Sequence, residues 1–356
     1  MTFSISLCYT NFCMLKILLD NNINELTEIL AERYSVPKFR AGQIFKWLLT
    51  GVDIDGMSNV PKDLRIKLDA DFVLQPVKIT KRLVSKDRTV KFLFELNDGN
   101  LIEGVLMNYK HGNTLCLSAQ VGCRMGCVFC LSGEDGLVRN LSAGEMLGQV
   151  IIAGTNDISN LVLMGSGEPL DNYDNVVKFL KLVTDERGLN MSRRNITVST
   201  CGLVDGIKKL ADEKLGVNLG VSLHATTDEN RQKIMPIARK YSITETMNAA
   251  KYYFDVSGRR ITIEYCLTKE NTTMFDVKRL AELTKGLPCH INLIPLNGGG
   301  AIKGSIIACT KEQAQRFSDR LTEAKVSNTI RRSLGIDIMG ACGQLKGKFV
   351  GDNKPK

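Results

Sequence analysis

Three cysteines, Cys123, Cys127 and Cys130, stand in the string CRMGCVFC, a C-x3-C-x2-C spacing with Phe129 just before the last thiol. A loop this short can wrap one face of a [4Fe–4S] cube and hold three of its irons. The fourth iron then has no protein ligand and stays open to a small molecule. Electron-transfer ferredoxins supply a fourth cysteine for every cluster. Structural zinc takes four ligands, usually as two separated pairs. Neither pattern fits, and clustered thiols outside a disulfide framework point to metal or redox chemistry.

Other residues capable of chemistry fall at the ends of strand candidates. In MGSGEPL (164–170) two glycines allow close backbone approach, and Glu168 offers a carboxylate to an ammonium group. The third glycine of a dinucleotide fingerprint is missing and Pro169 interrupts, so alone the string reads as a glycine turn with a solvated glutamate. Ser199 in STCG, Ser222-Leu223-His224 and Asn297 in NLIPLN each read alone as strand-end groups with satisfied hydrogen bonds. Cys116 precedes the cluster string and alone is a buried strand cysteine. Cys342, in GACGQL, is a thiol between small residues: a nucleophile if exposed and partly ionised, otherwise a structural loop cysteine.

The elements that must position these groups alternate. Strand candidates cover 115–121, 160–165, 195–200, 218–223, 260–267 and 290–296; amphipathic helix candidates cover 142–154, 173–186, 203–213, 244–256, 274–286 and 311–324. Strands each followed by a helix imply a parallel α/β sheet, doubly wound or barrel, and both place ligands beyond the strand C-termini. Ahead of them, residues 20–72 read as a small helical module, with Pro61 opening a helix. TVKFLFEL and LIEGVLM form a hairpin turning at Asp98-Gly99.

The 356 residues suit one large domain plus a small one. No apolar run is long enough to span a bilayer, and MTFSISLCYTNFCM has neither a basic n-region nor a cleavage site. Met14 opens a more conventional start, so residues 1–13 read as a loose extension or a gene-start artefact. Eleven cysteines, an odd number, argue for a reducing cytoplasm. The net charge of +9 concentrates in KITKRLVSKDRTVK (78–91), in Arg193-Arg194 and in Arg331-Arg332. Such a basic surface suits phosphate and nucleic acid, or else is a solubilising face.

The cysteine spacing resembles that of the radical S-adenosylmethionine (SAM) enzymes. Through FRAGQIFKWLL (39–49), IEGV, TLCLSAQVGCRMGCVFC, GEDGLVRNLSAGEMLGQV, LMGSGEPLDN, ITVSTCG, VSLHATTDENRQKIMPI, ITIEYCL, HINLIPLN and ACGQL the chain resembles the bacterial RNA adenine-C2 methyltransferases, over about residues 15–348. The resemblance implies a partial (β/α)6 radical-SAM barrel with a small N-terminal helical accessory domain. It implies a [4Fe–4S] cluster on Cys123, Cys127 and Cys130, and SAM contacts at Gly167, Glu168, Ser199, Ser222, Leu223, His224 and Asn297. It implies two SAM per turnover: one methylates Cys342, and the second yields a radical that activates the S-methyl group for addition to carbon 2 of adenine. Glu103 then takes the carbon 2 proton, and Cys116 attacks the Cys342 sulfur, releasing product and leaving a disulfide. A radical route suits carbon 2, which is electron-poor and has no lone pair to attack a sulfonium methyl. Ser166 in place of the family's usual Met, GGGAIKG (298–304) in place of a proline-rich loop, and Met339-Gly340 in place of an acidic-small pair bear on substrate preference rather than chemistry.

The expected organisation is a loose extension over 1–14, a helical RNA-binding accessory domain over 15–75, a basic linker and β-hairpin over 76–110, the barrel with its C-terminal cysteine loop over 111–348 and a tail over 349–356. The expected function is a cytoplasmic, monomeric methyltransferase making 2-methyladenosine in large-subunit ribosomal RNA and transfer RNA, served by an electron donor such as flavodoxin or ferredoxin, with no membrane partner. The nearest alternative is methylation at carbon 8 of the same adenine, which confers antibiotic resistance; the N-terminal module and NLIPLN favour carbon 2. A non-catalytic iron–sulfur or zinc RNA-binding module is more distant, since it needs no thiol pair such as Cys116 and Cys342.

Overall fold

The computed structural model describes residues 15–110, 112–296 and 306–345. Three helices come first: α1 (Ile23–Tyr34), α2 (Phe39–Leu48) and α3 (Lys62–Asp71). Their apolar faces bury Leu26, Leu30, Ile44, Leu48, Leu64 and Leu68 in a core continuous with that of the remaining chain. Asp20 strengthens the join, because its Oδ1 accepts the Gly144 amide at 2.6 Å.

A single sheet then runs through the molecule. Strands β1 (Val77–Val84), β2 (Val90–Leu96), β3 (Leu101–Tyr109) and β4 (Gly112–Cys116) pair antiparallel in sequence. From β4 onward the pairing is parallel, through β5 (Asn160–Leu163), β6 (Ile196–Thr200), β7 (Asn218–Ser222), β8 (Ile261–Leu267), β9 (Cys289–Pro295) and β10 (Asn328–Ile330). Helices α4 (Ala143–Gly154), α5 (Tyr173–Val183), α6 (Val204–Asp212), α7 (Asp228–Ile234) with α8 (Ile243–Ser257), α9 (Met274–Leu283) and α10 (Lys311–Glu323) follow β4 to β9 in turn. These six βα units are the partial barrel that the resemblance implied.

Local chemistry explains where the helices begin. Asn22 and Glu25, Ser142 and Glu145, Ser242 and Glu245, Thr273 and Asp276, and Thr310 and Gln313 form capping boxes at α1, α4, α8, α9 and α10. Each satisfies backbone donors that a helix start leaves open. Strand alternation sorts the two faces of the sheet. Leu161, Leu163, Ile196, Val198, Leu219, Val221, Ile261, Ile263, Ile291 and Leu293 are buried in the main core. Residues of the other parity, Met164, Ser199, Ser222 and Glu264, line a cavity.

The structure differs from the sequence reading in several places, among them the short helix α7, which the helix candidates did not include. The first barrel strand is shorter than 115–121. It ends at Cys116, because Gln120–Gly122 turns away to pair with Leu137–Asn140. Val77–Val84, read only as a charged run, is a strand whose lysines hide the alternation. Asn328–Ile330 is a seventh parallel strand, too short to announce itself.

Candidate active site

The cluster string follows β4 on a loop shaped by Gly122. That glycine has φ +75°, and a Cβ there would overlap the Gly136 carbonyl. The Cys123 amide donates to Gly136 O (2.8 Å), the Val128 amide to Ile234 O (3.0 Å) and the Cys130 amide to Cys127 O (3.1 Å). All three thiols face one cavity of about 170 Å³. Burial pushes the Cys123 thiol up to about 12 and raises Cys127 and Cys130 as well; neighbouring thiols raise Cys127 further. Negative charge is therefore costly here unless cations offset it, which is what iron supplies. Among the described residues no three donors converge on a point that one metal ion could occupy.

The opposite wall is polar and rigid. Gly167, at φ +101°, lies against Gln120, and a Cβ there would sit 2.5 Å from the Gln120 side chain. Gln120 Oε1 accepts the Glu168 amide (2.9 Å), while its Nε2 donates to Asn140 Oδ1 (2.8 Å) and Asp171 Oδ2 (2.9 Å). The buried Glu168 carboxylate accepts the Leu170 amide (3.0 Å) and the Cys201 amide (2.7 Å). Burial raises its pKa and those amides oppose the rise. Glu168 lines the cavity, where its carboxylate can meet an ammonium group.

Ser199, Ser222 and His224 complete this wall with Gly167 and Glu168, whereas Leu223 is fully buried and does not line the cavity. His224 adopts φ +58°, and its ring packs edge-on to Phe129 at 4.8 Å. Its Nδ1 accepts the Cys266 amide (3.0 Å), which leaves the proton on Nε2. Burial, then Arg231, pushes its pKa down to about 3, so the ring is neutral at pH 7. Asn297 lies outside the described residues.

Two residues of this site escaped the sequence reading. Arg231, completely buried, ties strand ends together: it donates to Cys201 O (2.7 Å), Ser222 O (3.1 Å), Leu223 O (3.2 Å) and Tyr241 O (3.5 Å). Nothing local in DENRQK marks it as buried. Glu264 lines the cavity from β8, accepting from Asn292 Nδ2 at 3.1 Å with one oxygen, while the other has no hydrogen-bond partner among the described residues. A charged residue inside the apolar run ITIEYCL was the available signal.

Beside the main cavity lies a smaller one, of about 30 Å³, lined by Val105, Met107, Cys116, Leu334 and Leu345 among others. Met164, Ile294, Arg331 and Cys342 line both. Cys116 is buried and Cys342 exposed, and both thiols are free. Burial, then Cys342, pushes the Cys116 thiol up to about 12, while Arg331 acts the other way. Arg331 was expected on a phosphate-binding surface. It instead follows β10 inward, with its Nη1 3.7 Å from Met164 Sδ, and its pKa is raised mainly by Cys342. Glu103 lines neither cavity; it is buried and paired with Lys91, which was also expected on the basic surface. Lys78, Lys81, Arg82, Lys86 and Arg88 remain exposed.

A parallel barrel with three loop thiols at the C-terminal strand ends defines a radical-SAM enzyme. The Radical SAM superfamily profile matches residues 117–282, and the profile of the ribosomal RNA large subunit methyltransferase N-terminal domain matches residues 17–74. A probable dual-specificity RNA methyltransferase RlmN of Clostridium novyi is 47% identical over 95% of this chain and 100% of its own length. One of Alkaliphilus oremlandii is 49% identical over 94% of this chain and 98% of its own. The crystal structure of a radical SAM methyltransferase from Sphaerobacter thermophilus superposes with a TM-score of 0.90, at 41% identity over 94% of this chain and all of that one. The chain belongs to the RlmN family of dual-specificity RNA methyltransferases, SAM-dependent radical enzymes that use a [4Fe–4S] cluster. Among the described residues no helix is long and apolar enough to cross a membrane.

Proposed function

We propose that this enzyme makes 2-methyladenosine in large-subunit ribosomal RNA and in transfer RNA through a methyl group carried on Cys342. The observation that carries the reading is the place of Cys342: it lines both the cavity of the cluster cysteines and the cavity of Cys116. One thiol can thus receive a methyl group on one side and be attacked on the other. When bound, the cluster and two successive SAM molecules supply first an electrophilic methyl group and then a hydrogen-abstracting radical.

The chain's own groups do the rest. Cys123, Cys127 and Cys130 hold the cluster, and Gly167, Glu168, Ser199, Ser222, His224 and Asn297 hold SAM. Cys342 loses its proton and takes the methyl group, which later bonds to adenine carbon 2. Glu103 accepts the carbon 2 proton. Cys116 then attacks the Cys342 sulfur, so that an S–S bond forms as the S–C bond breaks; the bonding pair stays on the methylene carbon, which takes a proton to become the methyl group of the product. The helical segment 15–75 and the exposed basic face from Lys78 to Arg88 dock RNA, and 76–110 links them to the barrel over 111–348. A flavodoxin or ferredoxin supplies electrons, and a single copy of the chain works in the cytoplasm, in keeping with its cysteine usage.

Mass spectrometry of RNA from a null strain carrying this gene tests the reading. The expected product is 2-methyladenosine in both RNA classes. Accumulation of 8-methyladenosine, or of no methylated adenosine, overturns it.

A further inference from the structure

Lys91 and Glu103 form a buried ion pair on neighbouring strands, β2 and β3, with Nζ to Oε1 at 2.8 Å and side chains only 7% and 1% exposed. The same ammonium donates to the carbonyl of Met339 at 3.1 Å, three residues ahead of Cys342. Met339 sits at φ +52°, in the left-handed region that a residue with a side chain occupies at a cost. The turn between β1 and β2 grips the same loop. Ser85 Oγ donates to Asp337 Oδ1 (2.5 Å), the Lys86 amide to Asp337 Oδ2 (3.2 Å) and the Gly335 amide to Asp87 Oδ2 (2.8 Å). Beyond Cys342 the cluster segment holds the chain, through the Leu131 amide on Gly343 O (2.9 Å) and Ser132 Oγ on Leu345 O (2.7 Å). The methyl-carrying thiol thus rides on a loop fastened at both ends, and one fastening is a charge shared with Glu103.

We infer that Lys91 is a positioning residue that makes the seating of the Cys342 loop depend on the charge of Glu103. The inference rests on the proposed role of Glu103 as base. While Glu103 is a carboxylate, the ammonium has its counter-charge and Met339 has its donor. When Glu103 takes the proton from adenine carbon 2, it becomes a neutral carboxylic acid. The buried ammonium then lacks a counter-charge, which a low-dielectric site penalises strongly. It turns toward water, Met339 loses its donor, and the left-handed turn relaxes. The loop is freed at the step when Cys342 has to meet Cys116, so proton transfer triggers product release.

Hydrogen–deuterium exchange on anaerobically prepared, cluster-containing enzyme without RNA tests this, read on peptides covering residues 335–345. Glu103→Gln keeps the shape and removes the charge. It should raise exchange from Met339 to Gln344 about threefold or more, while α8 exchanges as in the wild type. Lys91→Met should do the same, and the double variant should exceed neither single one, because both remove one shared interaction. Ser85→Ala removes a neighbouring tie and leaves the ion pair, so Glu103→Gln should add its full effect on top of it. Should Lys91→Met fail to fold, the Glu103→Gln and Ser85→Ala variants decide. Wild-type exchange in the loop of Glu103→Gln overturns the coupling. The base role is judged separately by RNA methylation: a Glu103→Gln enzyme that loosens the loop yet turns over refutes the base and keeps the coupling, and one that is inactive with an unmoved loop does the reverse.

Discussion

Cys116, buried at the end of β4, and Cys342, exposed on the C-terminal loop, line one small cavity without being bonded to each other, and the Arg331 side chain shares its wall. If Cys116 resolves the covalent intermediate, Cys116→Ala should accumulate protein joined to RNA through Cys342, seen as an adduct on its peptide by mass spectrometry. Cys342→Ala should bind SAM and iron but leave RNA unmodified. Normal turnover in Cys342→Ala would refute the methyl-carrier role.

Release should accelerate with pH. Burial raises the Cys116 thiol above its ordinary value, so at neutral pH almost all of it is protonated, and the reactive thiolate rises about tenfold per pH unit below its pKa. Adduct decay between pH 7 and 9 should follow this rise. Arg331 lowers the Cys116 pKa, so Arg331→Gln should slow decay roughly tenfold at fixed pH. A pH-independent decay rate counts against Cys116 as the attacking group.

Arg231 should matter for stability as well as binding. Arg231→Met leaves buried carbonyls of Cys201, Ser222, Leu223 and Tyr241 without this donor. Each unsatisfied group costs about 1–3 kcal/mol, and relief of the buried charge offsets part of this, so a net loss of about 3 kcal/mol is expected in denaturant unfolding. A midpoint equal to wild type would show that the strand ends hold themselves.

Removal of any one of Cys123, Cys127 and Cys130 should remove iron binding and SAM cleavage together. Anaerobically reconstituted wild-type protein should hold about four iron and four sulfide per chain. Stoichiometric zinc without iron in anaerobically purified protein would end the cluster assignment.

The outward basic face should show in salt dependence. Replacing Lys81, Arg82 and Lys86 with Ala should weaken RNA binding and flatten the log–log salt slope by roughly 2, as fewer counterions are released. SAM cleavage without RNA should not change. Unaltered affinity and slope would mark these side chains as a solvated face.

The cluster spacing and the strand–helix alternation were legible in the sequence because each is a local pattern with a fixed period. The same strings carried the family resemblance and, with it, the residues to examine. What the sequence left undecided is where charge points. Lys91 and Arg331 read as surface residues, and Glu264 and Arg231 drew no reading at all, because a charged side chain is soluble by itself and its burial depends on partners far along the chain. Only the folded sheet supplies them: Glu103 and Met339 for Lys91, Asn292 for Glu264, four carbonyls for Arg231. The meeting of Cys116 and Cys342 at one cavity is likewise tertiary, because it requires β4 and the C-terminal loop to be brought together by the intervening barrel.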